Sequence, residues 1–164
     1  MANKYLSIYL NDHLALMIGT SELVKRSLDS NKETEFGRFL ETVLESNSEE
    51  RRALETLMER EQVSQNRTKT AGAWVAERVG RLKMNGELTG YSDLSRLVEI
   101  EGMGVALEAK RMFWDTLHGI GFTEARGMQT RSIARRAEQQ MEQLNTHRAE
   151  AAESALGMVG SGRK

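Results

Sequence analysis

Five side chains able to carry chemistry fall on the inferred inward lines of their helices: His13, Glu50, Glu101, Glu108 and His147. Imidazole nitrogens and carboxylate oxygens are ligands for iron, manganese or zinc, and the same groups exchange protons in acid–base catalysis. In a metal site, His13 and His147 would each donate a ring nitrogen, with Glu50 and Glu101 supplying anionic oxygen. The plainer reading is a buried histidine–carboxylate network that fixes the register of the helices, because unpaired buried charge is costly. Glu101 and Glu108 also have a solvent-facing alternative beside Lys110 and Arg111. Asn47, on the line of Glu50, can satisfy His13 or a backbone group. His118 precedes Gly119 at a helix end, where capping or the helix dipole accounts for a histidine. No serine–histidine–acid arrangement is assembled locally, so no catalytic residue is assigned.

Other motifs carry less. Gly102-Met103-Gly104 and Gly119-Ile120-Gly121 lack the preceding strand and glycine series of a dinucleotide site. Within a helix, Gly102 and Gly104 suit close contact between helices better than a cavity. Arg131, Arg135 and Arg136 form a basic turn, but Glu138 and Glu142 follow at once, as on a solvated helical face.

Composition narrows the function classes further. The chain has 164 residues, 23 Lys and Arg against 24 Asp and Glu, and a formal charge of -1. No basic field gathers phosphates, so nucleic acid is not an expected partner. The absence of cysteine removes disulfides, thiolate catalysis and thiolate metal ligation. Lys4, Asp12, His13 and Glu22 interrupt any early apolar run, and no stretch reaches the roughly 18 residues of a membrane span. A cytoplasmic protein without a membrane partner is expected. Proline is also absent, which removes one class of helix breaker.

These positions require long helices to hold them. Leu6, Leu10, His13, Met17, Thr20 and Val24 predict a helix over Lys4 to Leu28. Phe36, Leu40, Val43, Asn47, Glu50, Leu54 and Leu57 predict a second over Glu33 to Glu61. Ser64 to Thr70 reads as a connection, and Ala71 to Met84 as a short helix ended by Asn85-Gly86 and Gly90. Ser92 is the expected N-cap of a third long helix reaching His118. Its main stripe is Leu94, Val98, Glu101, Val105, Glu108 and Met112. A second stripe, Ile100, Met103, Leu107 and Trp114, lies nearly opposite and offers a face for a protein partner unless the short helix covers it. Methionine and aromatic side chains suit either a core or such an interface. Glycines 119, 121 and 127 punctuate the next connection. Ile133, Ala137, Gln140, Leu144, His147, Ala151 and Ser154 predict a last helix over Thr130 to Leu156, with 157–164 as a flexible tail.

Four amphipathic helices with short first and third connections and a long middle one form an all-α, antiparallel four-helix bundle, a single domain over 1–164. The segments YLNDHLALMIGTSEL, FGRFLETVLESNSEERRALETLMER, GAWVAERVGRLKMNG, YSDLSRLVEIEG and RRAEQQMEQLNTHRAEAAESAL resemble the ferritin-like class and, more loosely, bacterial members of it without an assigned role. The middle linker of about thirty residues, with its own short helix, allows a crossover along the bundle between the second and third long helices. In di-iron members of the class two helices carry a Glu-x-x-His turn. Here Glu49 is followed at that spacing by Arg52, and Glu138 by Met141, neither suited to hard iron. The expectation is therefore a non-enzymatic ferritin-like bundle without a cofactor. Its role would be protein interaction, self-association, structural support or service as a binding scaffold. The alternative is a nonstandard metal- or small-ligand-binding bundle.

Overall fold

The computed structural model describes residues 3–66 and 91–157, and four long helices dominate them. Helix α1 covers Lys4–Asn31, and the Asn3 side chain caps it by accepting from the Tyr5 N–H at 3.0 Å. Helix α2 covers Glu35–Arg60, with Thr34 Oγ1 accepting from the Gly37 N–H at 3.0 Å. Helix α3 covers Asp93–Gly119 behind the expected Ser92 cap, which accepts from the Ser95 N–H at 3.1 Å. Helix α4 covers Thr130–Leu156, the expected span. Each cap satisfies a backbone donor that lacks an intrahelical acceptor. No described helix is long and apolar enough to cross a membrane. The short helix expected over Ala71 to Met84 and the tail from 158 onward lie outside the described residues.

Contacts between named side chains fix the helix directions. Asn47 donates from Nδ2 to the Met17 carbonyl and to Ser21 Oγ, both at 2.8 Å, and with only residues 32–34 between the two helices α2 packs antiparallel to α1. Arg26 meets Glu99 near one end, while His13 stacks on Phe113 near the other, so α1 and α3 are antiparallel too. Glu50 with Arg136, and Phe39 with His147, set α2 antiparallel to α4. At the flanks of 67–90, the Asn66 N–H donates to Asn11 Oδ1 near the start of α1, whereas Tyr91 meets Asn31 at its end.

Both short connections are tight. In the first, Thr34 Oγ1 and N–H both donate to the Asn31 carbonyl, at 2.8 and 3.0 Å. Gly37 packs onto that corner so closely that a Cβ there would collide with the same oxygen. The second contains a hairpin absent from the sequence expectation, β1 (Glu124–Ala125) against β2 (Met128–Gln129). Its two turn residues, Arg126 and Gly127, have φ values of 49° and 77°, the left-handed pair that a two-residue hairpin demands.

The interior is divided. One apolar cluster joins Leu10, Leu14, Met17, Leu54, Leu57, Met58, Phe113, Trp114 and Ile133. The other joins Leu23, Val24, Phe36, Leu40, Val43, Ile100, Met103, Leu107 and Leu144. Buried polar side chains of Ser46, Asn47, Glu50, Lys110 and Gln140 lie at the sequence positions between them.

The face expected to meet a protein partner is buried instead. Ile100, Met103, Leu107 and Trp114 are all at most 1% exposed and belong to the two apolar clusters. The stripe expected to face inward is instead the outer one: Leu94, Glu101, Val105 and Met112 are exposed, Val98 and Glu108 half-buried. The reason is energetic. Facing the Glu101–Glu108 line inward would desolvate two carboxylates, whereas the opposite face buries four large apolar side chains.

Candidate functional site

Glu50 is the centre of the polar layer and is fully buried. Lys110 Nζ lies 2.8 Å from its Oε2, and the Arg136 guanidinium lies 3.0 Å from its Oε1. Arg136 also reaches Glu49 Oε2 at 3.0 Å, so two carboxylates and two cations balance across three helices. Lys110 donates to Gln140 Oε1 at 3.2 Å, Gln140 Nε2 donates to Ser46 Oγ at 2.7 Å, and Ser46 Oγ donates to the Val43 carbonyl. Glu50, Lys110, Gln140 and Ser46 are withdrawn from water, where such interactions are strongest and their loss most costly, while Arg136 and Glu49 close the network at its solvent edge.

A second buried carboxylate, Glu99, receives two hydrogen bonds from Arg26, at 2.7 and 3.0 Å, and one from the Tyr91 hydroxyl at 3.0 Å. Asn31 Nδ2 donates to the same hydroxyl at 3.0 Å. Burial raises the Tyr91 pKa, with the Glu99 charge adding to the shift. The phenol stays protonated and serves as donor.

Of the five expected centre residues, only Glu50 joins the layer. Glu101 is exposed on the outside of α3. Glu108 pairs on its own helix with Arg111 at 2.7 Å, and those hydrogen bonds hold its carboxyl below the usual range. His13 and His147 lie in separate environments because α1 and α4 present them at different levels. The His13 ring stacks on Phe113 at 4.3 Å with Tyr9 edge-on at 4.7 Å. Its burial lowers the pKa to about 4, only partly opposed by Asp12, so it is a neutral packing residue near neutral pH. His147 packs against Phe36 and Phe39, with centroids 5.1 and 5.4 Å away. A shared site of His13, Glu50, Glu101 and His147 is therefore not formed, and no three His, Asp or Glu side chains converge as a metal-binding group among the described residues.

The sequence does not bring Lys110, Arg136, Ser46 and Gln140 to Glu50: Lys110 and Arg136 read as surface cations beside acidic neighbours, Ser46 carries no pattern, and Gln140 reads as one polar member of a stripe. The only available signal was spacing: Ser46 with Glu50, and Arg136 with Gln140, stand one helical turn apart. Asn47 takes the backbone alternative, on Met17. His118 ends α3 with Nδ1 3.2 Å from Thr130 Oγ1, in keeping with a helix-end role.

One surface groove adjoins this framework. It has a volume of about 460 Å³ and lies between the first turns of α2 and the later turns of α4, lined by Glu35, Arg38, Phe39, Thr42, Gln143, Thr146, His147 and Glu150. Phe39 and His147 are 7% and 8% exposed, while the other lining residues are open to solvent. His147 Nδ1 makes no hydrogen bond and stands 3.5 Å from Glu150 Oε2. Such a groove has the size of a small-molecule site and a mixed lining of rings, charges and hydroxyls. Compared with protein-family models, curated proteins and solved structures, the chain matches none of them.

Proposed function

We infer that the protein is a non-enzymatic, ferritin-like four-helix bundle that acts through its outer surface, as an interaction or structural protein. The connectivity supports the class: two antiparallel helix pairs, with the residues flanking 67–90 at opposite ends. One observation carries the functional part. Both oxygens of the central carboxylate Glu50 are engaged by Lys110 and Arg136, the chain's own cations. A metal would have to displace an ammonium and a guanidinium and then sit beside them, which opposes binding electrostatically. The interior then serves register and stability. With Ile100, Met103, Leu107 and Trp114 buried, a protein partner or a second copy would meet the exposed Leu94, Val105 and Met112 of α3 instead.

The test is elemental analysis of protein purified without chelator and then incubated with iron, manganese or zinc. The expected result is metal far below one equivalent. Stoichiometric metal that disappears in Glu50→Gln would overturn the reading.

A second reading, small-ligand binding, is favoured by the α2–α4 groove, whose floor contains a buried imidazole with an unbonded nitrogen. It concerns the surface and is compatible with a closed interior.

A further inference from the structure

We propose that the α2–α4 groove binds a small organic cation, an ammonium carrying an aryl or alkyl group; this rests on the small-ligand reading. The floor is made of two nearly buried rings, Phe39 and His147, with centroids 5.4 Å apart. Aromatic faces attract cations and exclude water from an apolar substituent. The groove walls carry two carboxylates, Glu35 and Glu150, against one guanidinium, Arg38. Among the described residues neither Glu35 nor Arg38 forms an ion pair, so their charges are uncommitted within the fold. Among the described residues Glu150 approaches only His147, whose Nδ1 lies 3.5 Å from its Oε2 without forming a hydrogen bond. An ammonium at the carboxylate side, with its hydrocarbon part on the Phe39–His147 floor, satisfies the excess negative charge and the apolar surface together. A carboxylate ligand of equal size would find one attractive charge and two repulsive ones.

The test uses the whole protein and three probes of matched shape: phenethylammonium, 3-phenylpropionate and 2-phenylethanol. Binding is followed by saturable shifts of the Gln143 side-chain amide and the Thr146 and His147 backbone amides in ¹H–¹⁵N NMR spectra. Phenethylammonium is expected to bind best, and the double variant Glu35→Gln/Glu150→Gln to weaken it by about tenfold or more. Both substituted positions are solvent-exposed, so the fold survives. Equal or tighter binding of the anion or the alcohol at these residues overturns the cation assignment and keeps the small-ligand reading. Cation binding indifferent to the double variant also overturns it. No saturable shift with any of the three probes removes both.

Discussion

Replacing Glu50 by glutamine keeps the shape of the side chain and removes its charge. Lys110, only 4% exposed, then meets neutral oxygens in place of the carboxylate, that of Gln140 at 3.2 Å among them, and faces Arg136 without an intervening negative charge. Removing one partner of a buried pair typically costs about 3–5 kcal/mol, because the other charge is left without compensation. Lys110→Met should cost less, about 1–3 kcal/mol, since Glu50 still holds Arg136, which is partly exposed and keeps its hydration. The double variant should be more stable than the sum of the single losses implies, with a coupling of about 1–3 kcal/mol. Urea unfolding followed by far-ultraviolet circular dichroism measures all four proteins. The linear extrapolations are compared at unchanged slope. Losses below about 0.5 kcal/mol for Glu50→Gln, adding simply with Lys110→Met, would refute the claim that the pair is buried and coupled.

Three further outcomes follow from particular contacts. Gly37→Ala should destabilise by at least about 1–3 kcal/mol in the same assay, because its methyl meets the Asn31 carbonyl at the α1–α2 corner. Gly104→Ala should stabilise by about 1 kcal/mol. Its Cβ would touch Leu144 and Met141 at ordinary distances of 3.8 and 3.9 Å, while the helix gains alanine's propensity. His13, with its pKa lowered to about 4, should make stability pH-dependent. Between pH 6.5 and 4 the unfolded chain binds the extra proton, so this contribution is full above that window and is lost as pH falls through it. The full shift corresponds to about 3 kcal/mol, reduced to about 1–2 kcal/mol because the ring is only partly buried. His13→Leu should flatten that part of the stability curve relative to the parent, as read by urea unfolding at successive pH values.

Local signals were the most legible. Ser92 before an amphipathic run, and the apolar spacing from Ile133 to Ala151, located α3 and α4 because caps and periodicity act within a few turns. The orientation of α3 was less legible. Its heptad line through Leu94, Val105 and Met112 looks like a core seam, yet α3 packs on both α1 and α4 and buries the broader face of Ile100, Met103 and Leu107. Periodicity identifies a face; competition among all faces for burial decides which one turns inward. The same limit separated Glu50 from Glu101 and Glu108. All three occupy regular positions, but Glu50 alone meets cations from two other helices. His13 and His147 could be aligned only by assuming equal heights in the bundle, and heights depend on where the connections turn. The hairpin at Arg126-Gly127 was obscured because arginine rarely adopts positive φ, and Ala125 and Met128 leave too short an alternation to read as strands.

The most direct measurement is a crystal structure from protein crystallised with excess manganese, with anomalous scattering recorded near the metal edge. Lys110 and Arg136 are expected on the two oxygens of Glu50, with no anomalous peak in the bundle interior. A manganese ion coordinated by Glu50, with Lys110 turned away, would contradict this reading.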